Sequence, residues 1–396
     1  MSPQQRFLLL LILVGALATI LGLVSRRARM LPYPVVLAAA GIAVGLLPGG
    51  SFPRVGPDVI LLAFVPGLVF EAALTLDLPE LKQRIVSVGL LATVGVALTV
   101  VLIGTLTHLL LGFSWASGFL LGAILSTTDP IAVVTLLRRL NAPKGLAAIL
   151  EGESLFNDGT GVAVFTAVLA TILSGSPSFA DAGLRFLEIT VGGTVIGLAI
   201  GFLGLALLRF AKDAPLEILA TLVIAYGSYV AADILHVSGI VAVVVAGIVV
   251  ARYGTNAGSL HGPQLLGFWS LLAFVLNAML FILVGAALPA WQLLPVAGLV
   301  GLTFLIMLVT RAVPVYGLLG VAALRPPPIP WSWRHLTVWA GLRGALSVAL
   351  ALSVAEVSGV DTRVSLVAYG VVLLSLLVQG SLTGPITSAL RIEKPA

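Results

Sequence analysis

Cysteine is absent from the 396-residue chain, which excludes disulfides and thiolate metal sites. Histidine is scarce and scattered. His108, His236, His261 and His335 show no metal-ligand spacing, which argues against a metalloenzyme, and no cofactor is expected. Charge is scarcer still for a chain this long, at 9% Asp, Glu, Lys and Arg, where a soluble domain carries roughly 25%. Hydrophobic residues make up 59% and the mean hydropathy is +1.16. Such a chain has too little polar surface to coat a water-soluble globule; its apolar side chains call for lipid outside as well as a core within. The net charge of +5 and pI near 9.8 come with no basic run or basic amphipathic segment. Nucleic acid is therefore not an expected partner, and the lipid bilayer is.

What the chain has in quantity is apolar length, in stretches bounded by charges, Pro or Gly, each long enough for a helix that satisfies its own backbone in lipid. The pattern predicts an all-α membrane protein of about thirteen transmembrane helices, near 7–24, 31–48, 58–76, 85–112, 115–137, 145–174, 184–210, 215–235, 238–252, 265–288, 293–322, 332–356 and 364–388. Residues 7–24 resemble a signal peptide in length. They lack a small-residue cleavage site and run into Arg26, Arg27 and Arg29, so they read as the first span. The long stretches 145–174 and 293–322 leave tilting, kinking or a misplaced break open.

Basic residues give an independent check on the count. Loops after odd-numbered spans, with the C-terminus, hold fifteen of the 21 Lys and Arg residues, among them Arg26, Arg27, Arg29, Lys82, Arg84, Arg138, Arg139 and Lys144. Arg6, Arg54, Arg185 and Arg363 fall on the other side. The positive-inside rule then places the C-terminus in the cytoplasm and the N-terminus outside, as expected for a bacterial or archaeal inner-membrane protein. Thirteen spans also parse as six, a linker helix and six, with the second set entering from the opposite side. That parity permits inverted repeats, which place a substrate near the midplane on helices broken at matching positions. The fifth span of the first set holds Asp129-Pro130, and the fifth of the second holds Gly341, Arg343 and Gly344. The halves share no convincing sequence identity, so the repeat rests on parity and breaks alone.

An ionisable side chain inside an apolar span costs roughly 2.5–3.5 kcal/mol on insertion scales, so each one is a candidate for function. They are Glu71, Asp129, Glu151, Glu153, Asp158, Arg311 and Arg343. In Ser126-Thr127-Thr128-Asp129-Pro130, the proline removes an amide donor and pushes Asp129 out of helical geometry, so the helix should open. Freed carbonyls there could hold a hard cation, with Asp129 near the positive end of the next half-helix. A simple proline kink with an N-cap aspartate is the equally open alternative. In Glu151-Gly-Glu-Ser-Leu-Phe-Asn-Asp158, Ser154 and Asp158 share a helix face, and Glu153 and Asn157 share the neighbouring one. A carboxylate, a hydroxyl and a carbonyl-rich break are oxygen ligands suited to a hard monovalent cation, with protons as competitors. Glu153 and Arg343, an acid and a base on the two halves, are each too costly unpaired and predict a structural ion pair. Glu151 with Arg311 is a second candidate pair, or each faces a watery vestibule. Glu71 either lines the ion path or gate or faces water near the membrane surface, close to Asp77.

Taken in order, FEAALTLD (70–77), STTDPIAVV (126–134), EGESLFNDGTGVAVF (151–165) and GLRGALSVAL (341–350) resemble the cation/proton antiporter superfamily, in its NhaP-type sodium/proton branch. The resemblance implies a fold of thirteen helices in two inverted six-helix repeats, with crossed broken helices 5 and 12. It further implies a homodimer in which scaffold helices (about 1–76 and 184–288) stand beside a mobile, elevator-like core (about 85–174 and 293–388), with residues 391–396 as a short cytoplasmic tail. Asp158 is then the carboxylate for which Na+ and H+ compete, and Asp129 a second acid at the ion. Ser154 supplies a hydroxyl and Thr128 a main-chain carbonyl. Asn157 stands where the electrogenic branch has aspartate, which implies electroneutral one-for-one exchange. Glu153 and Arg343 match the family's core ion pair, and Glu71 an acid near the ion entrance. Exchange of Na+, with Li+ as a further substrate, for protons is the expected activity. Potassium/proton exchange and a cation channel are the alternatives, and an enzyme is not expected.

Overall fold

A computed structural model describes residue 12 and residues 15–22, 33–45, 59–140, 142–174, 179–211, 213–254, 262–287, 290–324, 326–355 and 357–392. Arg6, Arg26, Arg27, Arg29, Arg54, Lys212, Arg325 and Lys394, on which the expected orientation partly rests, lie outside the described residues. So does most of the 391–396 tail. Among the described residues, regular structure is entirely helical. Seven helices of the described residues are long and apolar enough to cross a membrane, and four shorter apolar ones accompany them there. The chain is an integral membrane protein.

A helical stretch at 15–22 precedes α1 (Tyr33–Gly45). Then comes a π-helical turn, Ile60–Phe64, running into α2 (Val65–Thr75). Pro66 near the start of α2 has no amide to offer the carbonyl of Leu62, which accounts for the widened turn before it. Helix α3 (Leu78–Leu90) continues through a second π turn, Leu91–Gly95, into α4 (Val96–Leu111). The expected start at residue 85 is corrected to Leu78. Asp77 caps the helix by accepting from the amide of Glu80 at 3.2 Å, with Pro79 in the first turn, so the polar segment around Lys82 and Arg84 is helical.

Two short helices, α5 (Trp115–Ile124) and α6 (Ile131–Arg139), follow, with residues 125–130 non-helical between them. Helix α7 (Lys144–Leu173) is a single uninterrupted run of 30 residues, about 45 Å long at 1.5 Å per residue. That length calls for tilt rather than the break left open by the sequence. Next are α8 (Phe179–Leu208), α9 (Ala214–Ile234), α10 (Gly239–Tyr253) and α11 (Gly262–Ala287). A 3₁₀ segment, Ala290–Val296, leads into α12 (Ala297–Ala322). A second pair of short helices, α13 (Trp331–Trp339) and α14 (Ala345–Ser353), is separated at Ala340–Gly344. The chain closes with α15 (Arg363–Leu374), a third π turn at Ser375–Gly380 and α16 (Ser381–Ala389).

Two apolar cores meet on α7. One gathers α4, α5, α12, α14 and α15 around Ile103, Leu121, Met307, Val348 and Tyr369; α7 contributes Leu146, Leu150 and Phe165 to it. The other gathers α2, α8, α9, α10 and α11 around Phe70, Ile224, Val243 and Trp269, with Leu155 of α7. Helix α7 is thus shared wall, and the polar residues in its first half face both the interior and the space between.

Each π turn passes one backbone carbonyl to a side chain of another helix. The carbonyl of Ala63 accepts from the Tyr226 hydroxyl (2.9 Å), that of Ala92 from the Thr160 hydroxyl (2.6 Å), and that of Gln379 from the Trp339 indole N–H (3.0 Å). In lipid, where no water satisfies a loosened backbone, such donors are the available remedy.

Candidate functional site

The two non-helical segments cross. The amide of Asp129 donates to the carbonyl of Leu342 at 2.8 Å, and the hydroxyls of Thr127 and Ser347 lie 2.7 Å apart. Contact is close enough that a β-carbon on Gly344 would sit 2.5 Å from that of Asp129, so only glycine lets the segments meet here.

Arg343 is fully buried at this crossing and donates through Nη1 to the carbonyls of Thr127 (3.0 Å) and Ser126 (3.3 Å). Its amide donates to the Ser375 hydroxyl (2.9 Å). The expected Glu153–Arg343 pair is therefore corrected. Glu153 pairs with Arg311 of α12 at 2.5 Å, both residues buried. The break explains the difference, because helix interruption leaves the carbonyls of residues 126 and 127 without amide partners, and the guanidinium on the opposing segment takes them. Arg343 remains within electrostatic reach of Glu153 and Arg311.

The expected Glu151–Arg311 pair is likewise replaced. Glu151 pairs with Arg138 in the last turn of α6, Nη2 to Oε1 at 2.6 Å. Residues two apart on a helix point about 200° apart. Glu153 hence turns inward to α12, while Glu151 turns to the cavity, where Arg138 near the end of α6 meets it.

The cavity has a volume of about 1600 Å³. Glu71 of α2, Thr127, Thr128 and Asp129, Arg138, and Glu151, Ser154 and Asp158 of α7 all line it. The α7 positions 151, 154 and 158 follow the i, i+3, i+7 spacing of one helix face. At its deep end the Ser154 hydroxyl donates to the carbonyl of Thr128. Asn157 is buried on the neighbouring face and straps the opened segment: its Nδ2 donates to the Thr128 hydroxyl (2.7 Å), and its Oδ1 accepts from the Thr128 amide (3.3 Å). Asp129 uses Oδ1 to accept from the amide of Ile131, the first residue of α6, at 3.0 Å, and its Oδ2 has no hydrogen bond among the described residues. Asp158 faces Asp129 electrostatically, and among the described residues neither a hydrogen bond nor a cationic side chain holds its carboxylate.

Sequence reasoning singled out Asp158, Asp129, Ser154, Thr128 and Glu71, and the structure brings all of them to one cavity; Asn157 is one bond behind it. It missed three participants. Arg138 was assigned to a loop because it ends a span. Asn277, an amide in the middle of the apolar helix α11, lines the cavity; an isolated mid-span polar residue was the available signal. Thr160, which bonds the π turn at Ala92, carries no sequence signal.

Chemically, the described residues at the deep end offer a carboxylate without a partner, a second carboxylate with one unbonded oxygen, a hydroxyl and a peptide carbonyl. That is an oxygen-only set, open to water, which suits a hard cation or a proton at the same carboxylate.

Residues 12–389 match the family described as "Sodium/hydrogen exchanger, transmembrane". The chain is 35% identical over 384 residues to the Na(+)/H(+) antiporter ApNhaP of Aphanothece halophytica, covering 95% of this chain and 73% of that one. It is 33% identical to the Na(+)/H(+) antiporter NhaP of Pseudomonas aeruginosa, covering 96% of each. Among solved structures, the sodium proton antiporter MjNhaP1 of Methanocaldococcus jannaschii superposes with a TM-score of 0.79 at 20% identity, over 97% of this chain and 99% of that one.

Proposed function

The chain belongs to the sodium/hydrogen exchanger family, in its NhaP-type antiporter branch, and from that premise we propose that Asp158 is the carboxylate at which sodium and a proton displace one another. The family exchanges monovalent cations for protons across the membrane and is a transporter family, not an enzyme family. One observation carries the assignment of the site. Among the described residues, Asp158 is the cavity carboxylate with neither hydrogen bond nor cationic partner, next to Asp129, the Ser154 hydroxyl and the Thr128 carbonyl. A charge left uncompensated at membrane depth is costly, which favours a bound cation or proton at all times. That is the condition for coupled exchange.

In this reading, sodium is held by the carboxylates of Asp158 and Asp129, the Ser154 hydroxyl and the Thr128 carbonyl, and lithium fits the same oxygens. Asn157 is neutral and committed to Thr128, and Asp129 is engaged by the amide of Ile131, so in this reading Asp158 alone exchanges its charge partner and the cycle is electroneutral, one sodium for one proton. The helical stretch at 15–22, α1, α2, the α3–α4 run, α5–α6, the six helices α7 to α12, α13–α14 and α15–α16 make thirteen crossings. Two six-crossing repeats of opposite orientation place α5–α6 and α13–α14 as interrupted helices at matching positions. The core that carries the site moves against scaffold helices within a homodimer. The C-terminus is cytoplasmic, the membrane is a cytoplasmic membrane, and the cavity opens to the cytoplasm at the end that bears Arg138 and Glu71.

Proton flux in proteoliposomes, driven by sodium, lithium or potassium over a pH series, tests this reading. Asp158→Asn is expected to reduce sodium-driven flux to the protein-free background. For wild type, the apparent KM for sodium should rise by about tenfold per pH unit on the acid side, as one-for-one competition requires. Retained exchange in a well-reconstituted Asp158→Asn protein would falsify the assignment. Strong slowing by an imposed membrane potential would rule out electroneutrality.

A further inference from the structure

The mouth of the cavity holds an ion pair that the exchange reading leaves unused. Arg138 meets Glu151 through a single nitrogen–oxygen contact of 2.6 Å, with side chains 62% and 18% exposed. The remaining guanidinium nitrogens make no hydrogen bond among the described residues. This is a poor strut, since a half-solvated, single-contact pair is held weakly and screened by water and salt.

Its position is informative. Arg138 sits at the far end of α6, the half-helix whose first residue donates its amide to Asp129. Glu151 lies on the cavity face of α7, two turns before Asp158, or about 10 Å along the helix, with Ser154 between them. From α2, Glu71 lies within electrostatic reach of both Arg138 and Glu151, and Asp77 within reach of Glu151. Among the described residues, the charged groups gathered around Arg138 are therefore three carboxylates, Glu71, Asp77 and Glu151, and Arg138 shares the cavity lining with Asp158.

We propose that Arg138 is the residue that sets cation entry: its guanidinium holds Glu151 in place of the arriving ion, and a cation reaches the Glu151–Ser154–Asp158 face by displacing it. The proposal rests on Asp158 being the exchange carboxylate. It assigns Arg138 no contact with the bound ion. A guanidinium is a weakly hydrated cation that forms hydrogen bonds only as a donor, so it neutralises the mouth without offering a ligand that could retain the passing ion. Its fixed positive charge lowers the local concentration of cations, and Glu151 restores it once released.

The experiment measures sodium-driven proton flux in proteoliposomes, with sodium supplied to one face at a time. Orientation is read from a single introduced cysteine, which the cysteine-free chain permits. Arg138→Gln should lower the apparent KM for sodium at the Arg138 face by about two- to fivefold in low salt, the size expected for removing one unit charge some 10 Å away in a half-solvated space. The shift should shrink in concentrated choline chloride, and the KM from the opposite face should stay as in wild type. Arg138→Lys keeps the charge and should restore the wild-type KM. Glu151→Gln should raise it by a similar factor, which keeps the proposal testable if Arg138→Gln folds poorly. An unchanged or raised KM in Arg138→Gln, or equal shifts from both faces, overturns the proposal. Sodium-driven flux that survives in Asp158→Asn shows instead that the underlying exchange reading has failed, and the proposal falls with it.

Discussion

Glu151 and Glu153 stand two residues apart on α7 and end up in different solvents. Glu153, on the packed face, is buried against Arg311, with Arg343 nearby. Glu151, on the cavity face, meets an Arg138 that is mostly in water. The same chemical pair, carboxylate and guanidinium, is a fixture in one place and a removable contact in the other. Dielectric surroundings decide which, because breaking a buried pair strands a charge while an exposed pair trades its partner for water. Asp158 shares the cavity face with Glu151 but has no cationic partner among the described residues. One helix therefore presents three acids in three settings: locked, loosely countered and unpaired among the described residues.

The contrast can be broken first at Asp158. Asp158→Asn should abolish exchange while leaving the thermal midpoint in detergent equal to wild type or higher, because no partner is lost; a large drop in midpoint would mean that the carboxylate serves packing. On the locked side, Glu153→Gln or Arg311→Gln should each destabilise by roughly 3–5 kcal/mol, read as poor yield and a lowered midpoint. The paired replacement Glu153→Met with Arg311→Met should recover much of that loss. Gly344→Ala should cost about 1–3 kcal/mol by overpacking, and it should slow transport as well, since the new methyl group must displace Asp129; normal kinetics would show that the crossing tolerates movement. Thr160→Val removes the hydroxyl that serves the carbonyl of Ala92 and should cost about 1 kcal/mol, with little effect on flux. Smallest of all, Arg138→Gln should change stability by no more than about 1 kcal/mol. Its effect is reserved for KM.

Much of the candidate site was legible in the sequence because intramembrane charges are few and helical spacing is strict. Ser154 with Asp158, and the opening at Asp129-Pro130, could be placed on elements without coordinates. The partners of the charges could not. Glu153 and Arg343 were matched by sign, burial and the family resemblance, yet a guanidinium beside an interrupted helix has unpaired carbonyls as competing acceptors, and Arg343 took those of Ser126 and Thr127. Arg138 was hidden for another reason. Hydropathy treats the end of a span as loop, whereas α6 is a half-helix that stays helical through Arg139 and brings Arg138 to the cavity lining. The helix start at Leu78 was obscured because Lys82 and Arg84 depress hydropathy over residues that Asp77 and Pro79 nevertheless cap into a helix.

The widened turn at Leu91–Gly95 has a geometric result for the whole run from Leu78 to Leu111. One additional residue in a turn advances the azimuth of everything beyond it by about 100°. Before that turn the helix packs mainly on α7; after it, mainly on α5, with α12 alongside both parts. A uniformly wound helix would have had to choose one of these neighbours along its length. The offset lets the run serve two neighbours in different directions, with a single hydroxyl, that of Thr160, to settle the carbonyl of Ala92. Deleting one residue from 91–95 would restore regular winding and rephase one end of the helix against the other, a far harsher change than any single substitution in the same five positions.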